Sequence, residues 1–255
     1  MARIMSEESS LTRKRLALAR ETRTLHWVLR VEVALAVVLL AAGVLRYWLV
    51  GKVTLVALGV AAALFSGAHW LRARQNRRED RIVEAGLRGE TEVMQRLQAA
   101  LDQSHYVFND LRMKVGRTSA QIDHLVVCAR GLFVIETKNW RGRIVGDPTA
   151  DQWQQFRMPG QPPVRVHNPV RQVKRQAEML RLALEQQGLG PAPIHRYVVF
   201  LSPNTSVEVP VSDVPLLHPA PCVEAIAQQS IEPVLHPEQV DALVAWLVRV
   251  TKGAR

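Results

Sequence analysis

Cysteine is scarce in this chain of 255 residues, which has only Cys128 and Cys222. Two thiols give neither a disulfide framework nor the ligand spacing of a zinc site. Cys128 lies in an apolar run and reads as a small core residue. The sequence has no glycine-rich nucleotide loop and no internal repeat, which argues against a P-loop enzyme or a solenoid. The eight histidines are scattered, and none completes a Ser-His-Asp arrangement. Acid is also in deficit. Against 33 Lys and Arg stand 23 Asp and Glu, a formal charge of +10. Such an excess suits an anionic partner, either nucleic acid or a membrane surface. The length allows one domain of ordinary size plus extras.

Apolar length is abundant in the first third. A basic arm, residues 1–25, carries Arg3, Arg13, Lys14, Arg15, Arg20 and Arg23. Two apolar stretches follow, Trp27–Leu45 and Val53–Leu71, each near the ~20 residues that cross a hydrocarbon core. Arg30 and Glu32 sit near the start of the first and can snorkel to the headgroups. Trp27, Tyr47, Trp48 and Trp70 fall at interface depth. The linker Arg46–Lys52 is short, so residues 26–71 are expected to form a tight transmembrane hairpin. Basic residues flank its outer ends, with Arg72, Arg74, Arg77, Arg78 and Arg81 in a linker at 72–81. By the positive-inside bias both termini face the cytoplasm, from the cell (inner) membrane. Two other readings compete: a cleaved signal peptide ending at Ala41-Ala42-Gly43, and a pair of buried helices in a soluble core.

The chemistry centres on Gln121–Lys138. Two apolar, β-rich runs, Ile122–Cys128 and Leu132–Ile135, flank Ala129-Arg130-Gly131, which predicts a buried hairpin. Asp123, Glu136 and Lys138 are charged residues on these runs. Side chains alternate along a strand, so Glu136 and Lys138 share a face. A two-residue turn, at Ala129-Arg130 or at Arg130-Gly131, sets Asp123 opposite Glu136 or opposite Lys138. Either register gathers the three at the open end of the hairpin, whereas a three-residue turn without a bulge would separate them. Two carboxylates and an ammonium so placed can hold a hard divalent cation and polarise a water. The plainer alternative is a cross-strand ion pair on a solvated strand end. His124 points to the other face, as a core or supporting group.

Around the hairpin, Ile82–Ser104 reads as an amphipathic helix. Gly86 and Gly89 within it suit close packing, and Glu90 either is a solvated helix acid or projects toward the cation end. Tyr106–Leu111 is a strand, Lys114–Thr118 a basic loop, and Arg143–Val145 a short strand. Pro148–Val166 is expected to be irregular, anchored by Trp153 and Phe156. Asn168 and Pro169 open a helix that stops at Gly188. Its polar side carries Arg171, Gln172, Lys174, Arg175, Gln176 and Arg181, either solvated or contacting phosphates, with Gln172 toward the active end. Arg196–Leu201 is a buried strand. Val214–Leu217 could be a short strand, and helices near Val223–Gln229 and Pro237–Val250 close the chain.

Four separated blocks occur in order: Gly86-Leu-Arg-Gly89-Glu90, Tyr106-Val-Phe-Asn-Asp110, Gln121-Ile-Asp123-His, and Gly131-Leu-Phe-Val-Ile-Glu136-Thr-Lys138-Asn-Trp-Arg-Gly142. Together they resemble the nuclease-related domain, NERD, a branch of the PD-(D/E)XK nuclease superfamily, over about Ala85–Leu201. The resemblance implies an α/β, restriction-endonuclease-like fold, a mixed central sheet flanked by helices. It places the nuclease-like domain at 82–202 and leaves 203–255 as a C-terminal extension. It implies Asp123 and Glu136 as metal-binding carboxylates for Mg²⁺ or Mn²⁺, with the Thr137 carbonyl also facing the metal. Lys138 resembles the catalytic lysine, Glu90 the additional helix acid, and Gln172 a polar residue of the following helix. Arg171, Lys174 and Arg175 then become candidate contacts to nucleic acid, DNA ahead of RNA. The expected activity is phosphodiester hydrolysis by a membrane-anchored enzyme. The alternative is a catalytically silent, membrane-tethered binding module on the same fold.

Overall fold

The computed structural model describes residues 3–4, 10–50, 54–227 and 232–253. The chain divides into two compact units, residues 11–85 and residues 1–10 together with 86–255. Strand β1 (Arg3–Ile4) belongs to the second; helix α1 (Ser10–Val50) and helix α2 (Thr54–Ala100) as far as Ala85 build the first, and the rest of α2 belongs to the second.

In the first unit α1 and α2 run antiparallel. Glu32 Oε2 lies 3.0 Å from His69 Nδ1, and a Cβ on Gly59 would sit 3.7 Å from Leu40 Cδ2. Trp27–Arg46 is the one segment, among the described residues, long and apolar enough to cross a membrane, with a mean hydropathy of 2.4. Only 6% of it is buried, so no soluble core covers it. Three details differ from the sequence reading. α1 begins at Ser10 and takes in most of the basic arm. It also continues through Val50, which shortens the linker drawn at Arg46–Lys52; Gly51–Val53, where the second expected stretch begins, lie outside the described residues. Finally, the basic segment 72–81 is no irregular connector but the middle of α2, which runs unbroken from Thr54 to Ala100. This stretch has no proline and is rich in Arg, Ala, Leu, Glu and Gln, all strong helix formers.

The second unit continues with β2 (Tyr106–Val115), β3 (Thr118–Cys128), β4 (Gly131–Lys138), β5 (Gly142–Val145), β6 (Gln152–Phe156), β7 (Val164–His167), α3 (Pro169–Gln186), β8 (Ile194–Phe200), β9 (Thr205–Glu208), β10 (Leu216–Leu217), α4 (Pro219–Ala227) and α5 (Pro237–Gly253). Six strands form a mixed sheet in the order β1-β2-β3-β4-β8-β10. β2, β3 and β4 pair antiparallel, and β8 joins β4 in parallel. Strand alternation sorts the core into two layers. Leu125, Val127, Leu132 and Val134 pack with Val173, Leu180 and Leu184 of α3 and Leu243 and Leu247 of α5. Val126, Cys128, Phe133 and Ile135 pack on the other face with Val93 and Leu97 of α2, Leu101 just after it, and Ile226 of α4. The sheet is therefore sandwiched between helices, as a nuclease-like α/β fold requires.

The segment Pro148–Val166 contradicts the expectation of irregular chain. β6 and β7 lie in it and complete a four-stranded sheet, β7-β6-β5-β9. In β6 Trp153 and Gln155 are buried while Gln152 and Gln154 face out. The inward Gln155 hid this alternation, because its burial is satisfied by a 2.9 Å bond to the Arg141 carbonyl. Lys114–Thr118 is likewise not a loop. β2 and β3 extend to Val115 and Thr118, leaving only Gly116 (φ +59) and Arg117 as the turn. Helix α4 starts at Pro219, earlier than Val223, and Gln228 and Gln229 lie outside the described residues.

Candidate functional site

The β3–β4 register settles the geometry of the hairpin. Cys128 pairs with Gly131 and His124 with Ile135, so the turn is Ala129-Arg130. One step further along, Asp123 comes level with Glu136. Asp123 follows the alternation of Leu125 and Val127, and Glu136 and Lys138 that of Leu132 and Val134. All three side chains therefore point to the α3 face, at the open end of the hairpin. His124 points the other way.

The cluster is buried and tightly bonded. Glu136 is 1% exposed. Its Oε1 accepts from Lys138 Nζ at 2.5 Å, and its Oε2 accepts from Gln176 Nε2 at 2.7 Å. Lys138 Nζ also donates to Gln172 Oε1 at 3.0 Å and lies 5.6 Å from the centre of the Trp140 ring. Asp123 Oδ2 accepts the Thr137 amide at 2.9 Å. Gln176 Nε2 bonds the Gln121 carbonyl as well, at 2.8 Å, tying α3 to β3 beside the acids.

Helix α3 can present these amides because its start is fixed. Asn168 caps it, accepting from Val170 N at 2.9 Å and Arg171 N at 3.3 Å, and Pro169 fills the first position. Gln172 and Gln176 are four residues apart and so share one helix face. Helix α2 approaches through Gly89, where a Cβ would lie 2.6 Å from Leu201 Cδ1 and 3.3 Å from Asn139 Cβ. A side chain here would push α2 off the end of the sheet. Glu90, next in sequence, is near enough to act on both Asp123 and Lys138.

The electrostatics follow from three acids facing one lysine. Burial raises the Asp123 carboxyl well above the usual carboxylate range, and the charges of Glu136 and Glu90 add to this; Lys138 and the Thr137 amide oppose it. Burial acts to lower Lys138, but Glu136, Asp123 and Glu90 outweigh it and hold the ammonium above the usual lysine value. With every acid ionised, three negative charges stand against one positive, the imbalance a divalent cation relieves. Among the described residues no three His, Cys, Asp or Glu side chains form a ready-made metal cage. Two carboxylates with no imidazole or thiolate suit Mg²⁺ or Mn²⁺, which keep waters and use few protein ligands, and do not suit zinc. On the opposite face His124 Nδ1 lies 2.7 Å from Asn109 Oδ1, and burial lowers its pKa to about 3, so it is neutral.

The three basic residues of α3 go to different places. Arg171 pairs with Asp151, Lys174 Nζ lies 2.6 Å from Asp213 Oδ1, and Arg175 Nη2 lies 3.5 Å from the Ser119 carbonyl. Arg171, Gln172, Arg175 and Gln176 line a cleft of about 630 Å³ with Ser119–Gln121, Asp151, His167 and Asn168. Lys174 is not part of that cleft. The sequence set Gln176 on the polar side of α3, either solvated or contacting phosphates; its four-residue spacing from Gln172 was the signal that it joins the acids instead.

These side chains, from Glu90 to Gln176, fall inside a single recognisable segment. Residues 85–201 match the family model of the nuclease-related domain, NERD. The match excludes α1, most of α2 and everything from Ser202 onward. An uncharacterized protein of Bacillus anthracis is 34% identical over 106 residues, which cover 40% of this chain and 48% of that protein. The match thus spans about half the length of that curated relative. No solved structure matches the chain. The NERD match makes the segment nuclease-related, and the cluster described above lies at the end of its sheet.

Proposed function

We propose that the NERD segment is a divalent-metal-dependent hydrolase of nucleic acid phosphodiester bonds, tethered to the membrane by the helices before it. The observation that carries the reading is the convergence of Asp123, Glu136 and Lys138 on one buried face, with Glu90 close by. Asp123 and Glu136 would hold the cation, which supplies polarisation of the phosphodiester and of a water.

The chain's own groups have separable tasks. The Thr137 amide fixes Asp123, and Gln176 fixes Glu136 from the side opposite Lys138. The Lys138 ammonium, aimed by Glu136 and Gln172, is a fixed positive charge for the phosphate oxygens as negative charge grows on them. Its raised pKa keeps it charged at neutral pH. Glu90 adds negative potential and strengthens the demand for a cation. The apolar, uncovered Trp27–Arg46 supports the anchor. The antiparallel course of α1 and α2 is in keeping with a hairpin of two spans whose ends share the cytoplasmic side.

A second reading has its own support. Both Glu136 oxygens are taken, by Lys138 and by Gln176, as they would be in a silent binding module. Cleavage of DNA and RNA by the full chain in detergent micelles separates the two, with Mg²⁺ or Mn²⁺ against chelator. Metal-dependent cleavage lost in Asp123→Ala and Lys138→Ala supports the hydrolase. Equal cleavage by all three proteins rejects this site, and binding without cleavage by the wild type selects the module.

A further inference from the structure

The outer half of the β2–β3 hairpin has a feature that the acid cluster does not use. Arg112 pairs with Gln121, Met113 with Ala120 and Lys114 with Ser119. Met113 is buried, whereas Arg112 and Lys114 project outward at the two-residue spacing of one strand face. They line a second cleft, of about 690 Å³, with Ser119–Gln121 and Val250 of α5. Ser119, Ala120 and Gln121 also line the α3 cleft of about 630 Å³. The two clefts therefore share one short stretch of β3 in their linings. Gln172 and Gln176, which line the α3 cleft, are the residues bonded to Lys138 and Glu136.

The charge along this path is mostly positive. Arg112 and Lys114 line the outer cleft with no acid among its lining residues. Arg171 and Arg175 line the inner one, where Asp151 is the single acid and is matched by Arg171. Lys114 and Arg175 form no ion pair with an acid among the described residues. No Trp, Tyr or Phe lines either cleft, so the path offers cationic and hydroxyl contacts rather than stacking platforms. Such lining grips a sugar–phosphate backbone without reading bases. Each cleft has the volume of a small-ligand site, room enough for a few nucleotides of one extended strand.

We propose that this basic trough is the track for a single strand of nucleic acid, running from the Lys138 end past Gln121 and Arg175 to Arg112 and Lys114. The proposal rests on the nuclease-related reading and adds the strandedness and path of the substrate. It also divides the basic residues of α3. Arg175 belongs to the track, whereas Lys174, held on Asp213, does not.

The test is binding of fluorescent oligothymidylates of 4 and 12 nucleotides, and of a 12-base-pair blunt duplex, to the full chain in detergent micelles. Chelator is present throughout, so no cleavage intervenes. The 12-mer is expected to bind more tightly than the 4-mer and than the duplex. Lys114→Glu with Arg175→Glu should weaken 12-mer binding at least tenfold and flatten its log–log salt dependence by about 0.7 per lost phosphate contact. Lys174→Glu should change the affinity less than twofold. Unchanged 12-mer affinity in the double variant, or tighter binding of the duplex, overturns the track. A thermal melt matching the wild type shows that the variants are folded. Failure of the hydrolase reading is a different result, wild-type binding of the 12-mer with no cleavage when metal is added.

Discussion

Replacing Lys138 by methionine tests the physics of the cluster before any substrate is involved. The ammonium makes two bonds, to Glu136 Oε1 at 2.5 Å and to Gln172 Oε1 at 3.0 Å, and its side chain is 16% exposed against 2% for Glu136. Removing one partner of a buried ion pair costs ~3–5 kcal/mol, because the other charge is left uncompensated. Glu136 keeps its bond from Gln176, which places the expected loss near the lower end, about 3 kcal/mol. For a protein of this size that lowers the melting temperature by roughly 6–12 °C. Methionine keeps the apolar stem, so lost packing does not explain the change. The double variant Lys138→Met, Glu136→Gln removes both charges and should recover at least about 2 kcal/mol, read as a coupling energy from the four-protein cycle. Melting of the full chain in detergent, followed by tryptophan fluorescence, supplies the numbers. A loss below about 0.5 kcal/mol, or strict additivity in the double variant, would refute the claim that Lys138 compensates buried acid.

Three further expectations follow from other parts of the fold. His124 has its folded pKa lowered to about 3 by burial, below its value of 6.5 in free peptides, so the unfolded chain binds its proton first. Stability should therefore fall as pH drops through that window, by about 1.4 kcal/mol per pH unit from this group. Asp123 acts oppositely, since its raised folded pKa favours the protonated native state from its value of 3.8 in free peptides upward. Accordingly Asp123→Asn should steepen the acid-side loss and His124→Asn should flatten it; denaturant midpoints between pH 4 and 7 that move the other way contradict both assignments. Gly146→Ala places a Cβ within 2.2 Å of the buried Trp153 ring and should cost at least about 1–3 kcal/mol in a melt, where an unchanged midpoint would show that the indole moves freely. Alkaline carbonate should leave the full chain in the membrane pellet, and recovery in the supernatant would remove the anchor.

The face shared by Asp123, Glu136 and Lys138 was legible because strand alternation is a rigid rule and only the turn length was open. The Ala129-Arg130 turn chose one of two acceptable registers. His124 was placed on the reverse face by the same parity. Gln176 was harder to see, since an amide on a helix looks solvated until the strand beneath it is known. β6 was hidden for a related reason: its inward-facing residues include Gln155, a polar group that burial tolerates only because the Arg141 carbonyl is there to accept from it. The continuity of α2 escaped notice because hydropathy changes abruptly near Leu71, while helix propensity does not. Composition thus marks where the surroundings of a helix change and says little about where the helix ends.

Titration of the full chain with Mn²⁺, followed by electron paramagnetic resonance of the free ion, bears most directly on the central claim that the buried acids form a seat for a hard cation. The account predicts one binding site per chain in the wild type, lost in Asp123→Asn and in Glu136→Gln and undisturbed in Lys174→Glu. Identical Mn²⁺ uptake by the wild type and both acid variants would contradict it.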